Sequence, residues 1–180
     1  MQQETGRDHM NHVLQKSKTE SLYKKRTEKN TDHRNQMKLE FESRSCNEGF
    51  ARVAVAAFMT QLNPTVEEVA DVKTAVSEAV TNAIIHGYEG KQGIITIECI
   101  IAGAELQVEV CDRGRGIADV PQAMEPLYTT KAECDRAGMG FAFMEAFMDS
   151  LQVDSEPGKG TRVYMTKRIL NGVNSELAER

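Results

Sequence analysis

Little in this chain of 180 residues points to a membrane, a metal cluster or a nucleic acid. No run approaches the ~20 apolar residues that a bilayer span requires. The N-terminus lacks the apolar core region of a signal peptide. Four cysteines, Cys46, Cys99, Cys111 and Cys134, lie far apart, with no CxxC pair and no metal-ligand spacing. Three of them stand in apolar or helical surroundings and read as small core hydrophobes, which fits a reducing cytoplasm. A net charge of −5 argues against direct nucleic-acid binding. The phosphate loop of pattern Gly-x-x-x-x-Gly-Lys-Ser/Thr is absent as well. What remains is ordinary for a soluble globular protein: 40% hydrophobic and 27% charged residues. The length suits one domain with a real core and room for a tail.

Residues 1–36 differ from everything after them. They are rich in Lys, Arg, Gln, Glu, Asn and Thr, and only Met1, Met10, Val13, Leu14, Leu22 and Tyr23 are usefully apolar. Such a segment cannot bury enough surface to offset its ordering entropy, so it reads as a disordered extension. A basic arm touching a partner is the other reading. Met37 is a candidate alternative start. Residues 37–170 then carry the patterned domain, and residues 171–180 read as a frayed polar end.

Within that domain Leu39 to Ser43 alternates like a short strand. Ser45 or Asn47 caps a helix holding Phe50, Val53, Ala54, Ala57 and Phe58, with Arg52 on its polar side. Asn63-Pro64 breaks it, and Thr65-Val66-Glu67-Glu68 opens the next helix as a capping box. That helix runs to Gly87, with apolar residues Val66, Val69, Val72, Val76, Val80, Ala83 and Ile84 at three-and-four spacing. Ile94–Ile101 and Leu106–Cys111 read as an antiparallel pair. Residues 118–137 have little periodicity and read as a loop or lid with at most short helices. A helix from Gly138-Met139-Gly140 and two strands, Leu151–Ser155 and Thr161–Thr166, close the chain. The order β-α-α-β-β-lid-α-β-β predicts an α+β two-layer sandwich, with a mostly antiparallel mixed sheet and helices on one face.

Chemistry concentrates in three stretches. Glu78, Asn82 and His86 are four apart and stack along one helix face. A carboxylate there can accept the proton of a hydroxyl nucleophile, and an Asn carbonyl is a hard oxygen ligand suited to Mg²⁺. Alone, Glu78 and Asn82 read as a solvated stripe; the downstream motifs reverse that. Asp112-x-Gly114-x-Gly116 leaves a strand: a buried Asp there can accept from an exocyclic amine, and the glycines let backbone approach a ligand. A plain hairpin turn is the rival reading. Gly138-x-Gly140 precedes a helix, where free N–H groups and the helix dipole favour phosphate. A loop-to-helix junction needs the same glycines.

Taken in order, the E-x-x-x-N helix, the strand with D-x-G-x-G, the irregular segment, the G-x-G helix and Gly160-Thr161 resemble the Bergerat-type ATP-binding fold of histidine kinases and gyrase B. The stretch Ser77 to Tyr88 resembles the serine-kinase anti-sigma branch of that superfamily. Leu127 to Lys131, Arg136 to Phe141, Leu39 to Phe41 and Asn47 to Val53 are similar to the sporulation anti-sigma F factors. The resemblance runs from about Met37 to Arg168, and residues before Met37 have no counterpart in it.

The resemblance implies ATP/ADP binding with Mg²⁺, a sporulation sigma factor as partner, an anti-anti-sigma protein as serine substrate, a homodimer and a cytoplasmic setting. By position, Glu78 would orient or activate the acceptor hydroxyl and Asn82 would hold Mg²⁺. Asp112 would read adenine with Thr161 behind it. Gly114 and Gly116 would give the nucleotide room, and Gly138 and Gly140 would start the phosphate helix. Thr130, Lys131 and Arg136 would belong to the lid, and Arg52 would contact both protein partners. His86 reads as structural or as a supporting partner of the site. Ala137 replaces the Ser common in the family, and Arg113 and Arg115 add charge between the glycines. Rival readings are a stress-response switch kinase with another sigma factor and a nucleotide-binding module that transfers no phosphate.

Overall fold

The structure, a computed structural model, describes residues 34–125 and 139–170. Strand β1 spans Arg34–Glu42, helix α1 Cys46–Met59 and helix α2 Val66–Asn82. A short turn, Thr60–Leu62, joins the two helices, and a wider turn, Ala83–Gly87, continues α2. Strands β2 and β3 span Ile94–Ala102 and Glu105–Cys111. The short helix α3 is Val120–Met124 and α4 is Gly140–Phe147. Strands β4, Ser150–Glu156, and β5, Gly160–Arg168, complete the fold. The expected element order is therefore present. The strand at Leu39 starts earlier than its alternation suggested, at Arg34, inside the polar segment.

One sheet carries all five strands in the order β1-β2-β3-β5-β4. The pairs β2–β3, β3–β5 and β4–β5 are antiparallel. Because directly opposed residues share a face, the register sorts the side chains. Ile97 opposes Val110, Cys99 opposes Val108, Val110 opposes Val163, and Val153 opposes Val163 from the other side. These residues meet Val55, Met59, Val72, Val76, Val80 and Met144 from the helices in one core. The opposite face carries Glu98, Glu109, Arg162 and Tyr164, paired across the strands, so one side of the sheet is left polar.

Helix α2 is the central element of the helical layer. Its start is fixed locally: Glu68 N donates to Thr65 Oγ1 at 3.1 Å, and Thr65 N donates to Glu68 Oε2 at 2.7 Å. Such a box contributes about 1 kcal/mol. Val72, Val76 and Val80 are wholly buried, each worth roughly 1.5–3 kcal/mol of apolar transfer. Val66, the first member of the predicted stripe, is 89% exposed. Apolar spacing places it on the core face, but Thr65, Val66 and Glu67 at this end are all exposed.

Helix α1 shows the same limit of periodicity. Phe50 and Val53 are 55% and 56% exposed, and the buried positions are Ala51, Val55, Ala56 and Met59. Small residues let α1 lie close against α2, and the larger Phe50 instead meets Phe41 of β1 edge-on at 6.3 Å. Of the cysteines, Cys99 is a core residue, with its thiol pushed up to about 12 by burial. Cys46 is exposed and Cys111 half-buried on the polar side of the sheet, so the reading of three core cysteines is too broad.

Candidate nucleotide site

The C-terminal half of α2 departs from an ordinary amphipathic helix. Ser77 and Glu78 are buried inside a run of buried residues from Ala75 to Val80. Glu78 is only 6% exposed. An ionised group in such a place is costly unless it is partnered. Two features stand beside it. Gly140, the first residue of α4, sits directly over the helix: a Cβ there would lie 3.1 Å from Asn82 Nδ2 and 3.3 Å from both Asn82 Oδ1 and Glu78 Oε2. A larger residue there would make Asn82 or Glu78 give way by a few tenths of an ångström. No side chain caps that end, so its first N–H groups remain available to an acceptor.

After Asn82 the helix widens by one residue. Tyr88 N donates to Ala83 O at 2.9 Å, a five-residue step. Widened turns of this kind often mark functional sites. The step brings Gly87 against Asp112, where a Cβ would come within 2.9 Å of Asp112 Oδ1. Asp112 is 8% exposed, its Oδ1 accepts from Gly114 N at 2.8 Å, and its own N–H donates to Thr161 O at 2.9 Å. Burial pushes its carboxyl upward, opposed by backbone hydrogen bonds at Gly114 and Thr161.

The glycines after Asp112 are required by contact. A Cβ on Gly114 would fall 2.2 Å from Gly87 O, and one on Gly116 would fall 2.1 Å from Glu156 O. Gly116 also has φ +71°, a conformation other residues rarely adopt. Thr161 stands beside Asp112, and its hydroxyl lies 3.0 Å from Ser155 Oγ. Ser155 also accepts from Ile117 N at 2.8 Å, so one serine ties β4, β5 and the loop after Asp112 together.

Between these walls lies a cavity of ≈ 530 Å³, within the size range of small-molecule sites. Glu78, Asn82, Asp112, Gly116, Gly140 and Thr161 all line it. Gly114 supports it from behind, against Gly87. Arg52 lies elsewhere, on a second hollow that touches the other flank of Glu78. The lid residues Thr130, Lys131 and Arg136, and also Gly138 and Cys134, lie outside the described residues. His86 lines the cavity wall.

Sequence reasoning missed several contributors. Glu48, Arg115, Asp119 and Gln122 also line the cavity. Glu48 accepts a short hydrogen bond from Ser77 Oγ and pairs with Arg52 Nη1 at 3.5 Å. Tyr88 is buried, its hydroxyl donating to Ile94 O at 2.5 Å and accepting from Arg113 N at 2.9 Å. It thereby anchors the backbone next to Asp112. A tyrosine just beyond the helix motif was the available signal, but nothing local shows where its hydroxyl goes.

The arrangement can hold a nucleotide. Asp112 offers a buried acceptor for an amine, and the start of α4 offers donors for phosphate. No cluster of three or more His, Cys, Asp or Glu suited to a metal occurs among the described residues. The donors present fit a different kind of site, in which Asn82 Oδ1 is one hard oxygen and phosphates supply others. Among the described residues no helix is long and apolar enough to cross a membrane.

The chain is similar to several known proteins. The family model described as a histidine kinase-like ATPase domain matches residues 42–167. An anti-sigma F factor of Thermoanaerobacter sp. is 61% identical over 138 residues, covering 77% of this chain and 96% of that protein. One of Clostridium kluyveri is 61% identical over 140 residues, covering 78% and 98%. In fold, the chain resembles the crystal structure of the RsbU and RsbW domains of a Mycobacterium tuberculosis protein. The TM-score is 0.55 at 20% identity, over 75% of this chain and 32% of that one. A domain of this description implies binding of ATP and ADP. With most of its length matched at this identity, the chain belongs to the anti-sigma F factor family, and residues 42–167 form its histidine kinase-like ATPase domain.

Proposed function

We propose that this chain is an ATP-dependent protein-serine kinase that also binds and inhibits sporulation sigma factor F. Its substrate is an anti-anti-sigma protein, phosphorylated on serine. The unphosphorylated substrate competes for the kinase and frees the sigma factor. The observation that carries this reading is the pairing of Glu78 with Asn82, one helical turn apart on the cavity wall and both against the start of α4. A pocket that only bound nucleotide would gain little from a buried carboxylate beside phosphates.

In this reading Asp112 accepts from the adenine amine, more strongly when ionised. The first N–H groups of α4 hold phosphate oxygens, and Glu78 orients the acceptor hydroxyl and takes its proton. Asn82 is the residue that would hold Mg²⁺; the ion, when bound, neutralises charge on the phosphates. Thr130, Lys131, Arg136 and Gly138 belong to the lid around the γ-phosphate, Arg52 meets the protein partners, and the working unit is a cytoplasmic homodimer.

The deciding measurement is transfer of radiolabelled phosphate from ATP to the anti-anti-sigma protein. Glu78→Gln is expected to lower the transfer rate by about 10²–10⁴. An undiminished rate in that variant removes Glu78 as the base.

A further inference from the structure

Strand β5 turns Val163, Met165 and Lys167 to one face, since alternate residues of a strand share a side. Val163 and Met165 are core residues, and Lys167 opposes the wholly buried Leu106 of β3. A lysine thus stands where the apolar row of the strand would continue. Its side chain is 13% exposed, and a cation held so far out of water needs partners. Lys167 Nζ donates to Asp71 Oδ2 of α2 at 2.9 Å and to Phe147 O at 2.6 Å.

Phe147 is the last residue of α4, and that helix carries no basic residue in its own last turn. The charge that complements its carboxyl end therefore comes from β5. The amino end of α4 is the one that meets Glu78 and Asn82, at Gly140. From Asp71 to Glu78 is about 10 Å along α2, and α4 from Gly140 to Phe147 is about 12 Å long. The two helices pack side by side and run antiparallel, with α4 tied to α2 at both ends. The kinase reading uses only the amino end.

We propose that Lys167 is a positioning residue for the nucleotide phosphates. By joining Phe147 O to Asp71 it fixes how the amino end of α4 sits over Glu78 and Asn82, and so where the first N–H groups of α4 meet phosphate. Lys167, Asp71 and Phe147 do not line the nucleotide cavity, so they act through α4 and not by touching the ligand. The inference rests on the reading that α4 holds phosphate oxygens, and adds to it the side chain that sets the helix. A helix this short does not hold itself in place by propensity; its contacts do so. Hydrogen bonds tolerate only a narrow range of distance, so a slide of about 1 Å at Phe147 is felt by the donors at Gly140. The base end of the cavity, at Asp112, lies on other elements and is spared.

The test measures the affinity of the full chain for ATP, ADP and adenosine, with thermal stability in parallel. Lys167→Met is expected to weaken ATP and ADP binding about tenfold while adenosine stays within about twofold of wild type. Combining Lys167→Met with Asp71→Leu exchanges the ion pair for apolar groups and should recover stability. It should not recover ADP affinity, because Phe147 O still lacks its donor. Wild-type ADP affinity in that double variant overturns the inference, and so does an equal loss for adenosine and ADP in Lys167→Met. Where Lys167→Met does not fold, Asp71→Asn carries the comparison: weaker ADP with unchanged adenosine supports the inference, and unchanged ADP overturns it. A wild-type chain that binds ADP no more tightly than adenosine overturns both this inference and the phosphate role of α4. A wild-type chain that binds ADP through its phosphates but transfers none to serine overturns the kinase reading and leaves this inference standing.

Discussion

The first turn of α2 satisfies its own polar groups, whereas its last turns bury theirs against other elements. At the start, Thr65 and Glu68 close a reciprocal box at 2.7 and 3.1 Å. One turn further, Asp71 pairs with Lys167 of β5 at 2.9 Å. At the far end, Ser77 and Glu78 are buried, Asn82 lies against Gly140, and the hydrogen-bond ladder widens before Gly87. Both ends are on one continuous helix. The contrast separates a stretch where local rules suffice for folding from one where, in the proposed reading, they yield because a ligand is to be met.

Substitutions that touch one end and spare the other sharpen this division. The largest effect is expected from Asn82→Ala. Loss of a direct metal ligand should weaken Mg²⁺-dependent ATP binding on the order of a hundredfold, with thermal stability nearly unchanged. Titration of ATP with and without Mg²⁺ reads this, and an affinity equal to wild type defeats the metal assignment.

Acidification separates the ends in a second way. Burial raises the Asp112 carboxyl above its ordinary value, and the ionised form is the stronger acceptor for the adenine amine. A ligand that prefers the ionised form binds more weakly as pH falls through that raised pKa, by up to about tenfold per pH unit. Calorimetric titration of ADP between about pH 7 and pH 5 should show the decline beginning above the ordinary Asp range. Without ligand the same shift means that ionising Asp112 opposes folding. Its contribution to stability therefore improves as pH falls through the raised pKa. Asp112→Asn should flatten the nucleotide pH profile.

The smallest effect belongs to the capped end. Thr65→Ala should cost about 1 kcal/mol of folding stability in a denaturant titration and leave ATP affinity within error. A change in nucleotide affinity there would show that the two ends are not separable.

Much of this was legible from the residues alone. The box at Thr65, the alternation of β2 and β3 and the order of elements depend on contacts within a few residues, and those the chain spells out. The carboxylate, the amide and the Asp112 glycines were legible as candidates through the order of their motifs, since each alone reads as a solvated stripe or a plain turn. The true buried stripe of α1, the exposure of Val66 and the surroundings of Cys46 and Cys111 were not. Each depends on which neighbour arrives across the layer, and periodicity states only that a face exists.

The amino-acid order by itself determined the elements, their sequence and the three stretches that carry chemistry, because hydrogen-bonding and apolar spacing act over one or two turns. Tertiary structure alone decided that Gly140 meets Glu78 and Asn82, that Tyr88 anchors the backbone beside Asp112, and that Glu78 divides two spaces. The Gly140 and Glu78 contacts join residues about 60 positions apart. Only packing of the helices onto the five-stranded sheet brings such pairs within reach, since core density fixes positions that no local rule specifies.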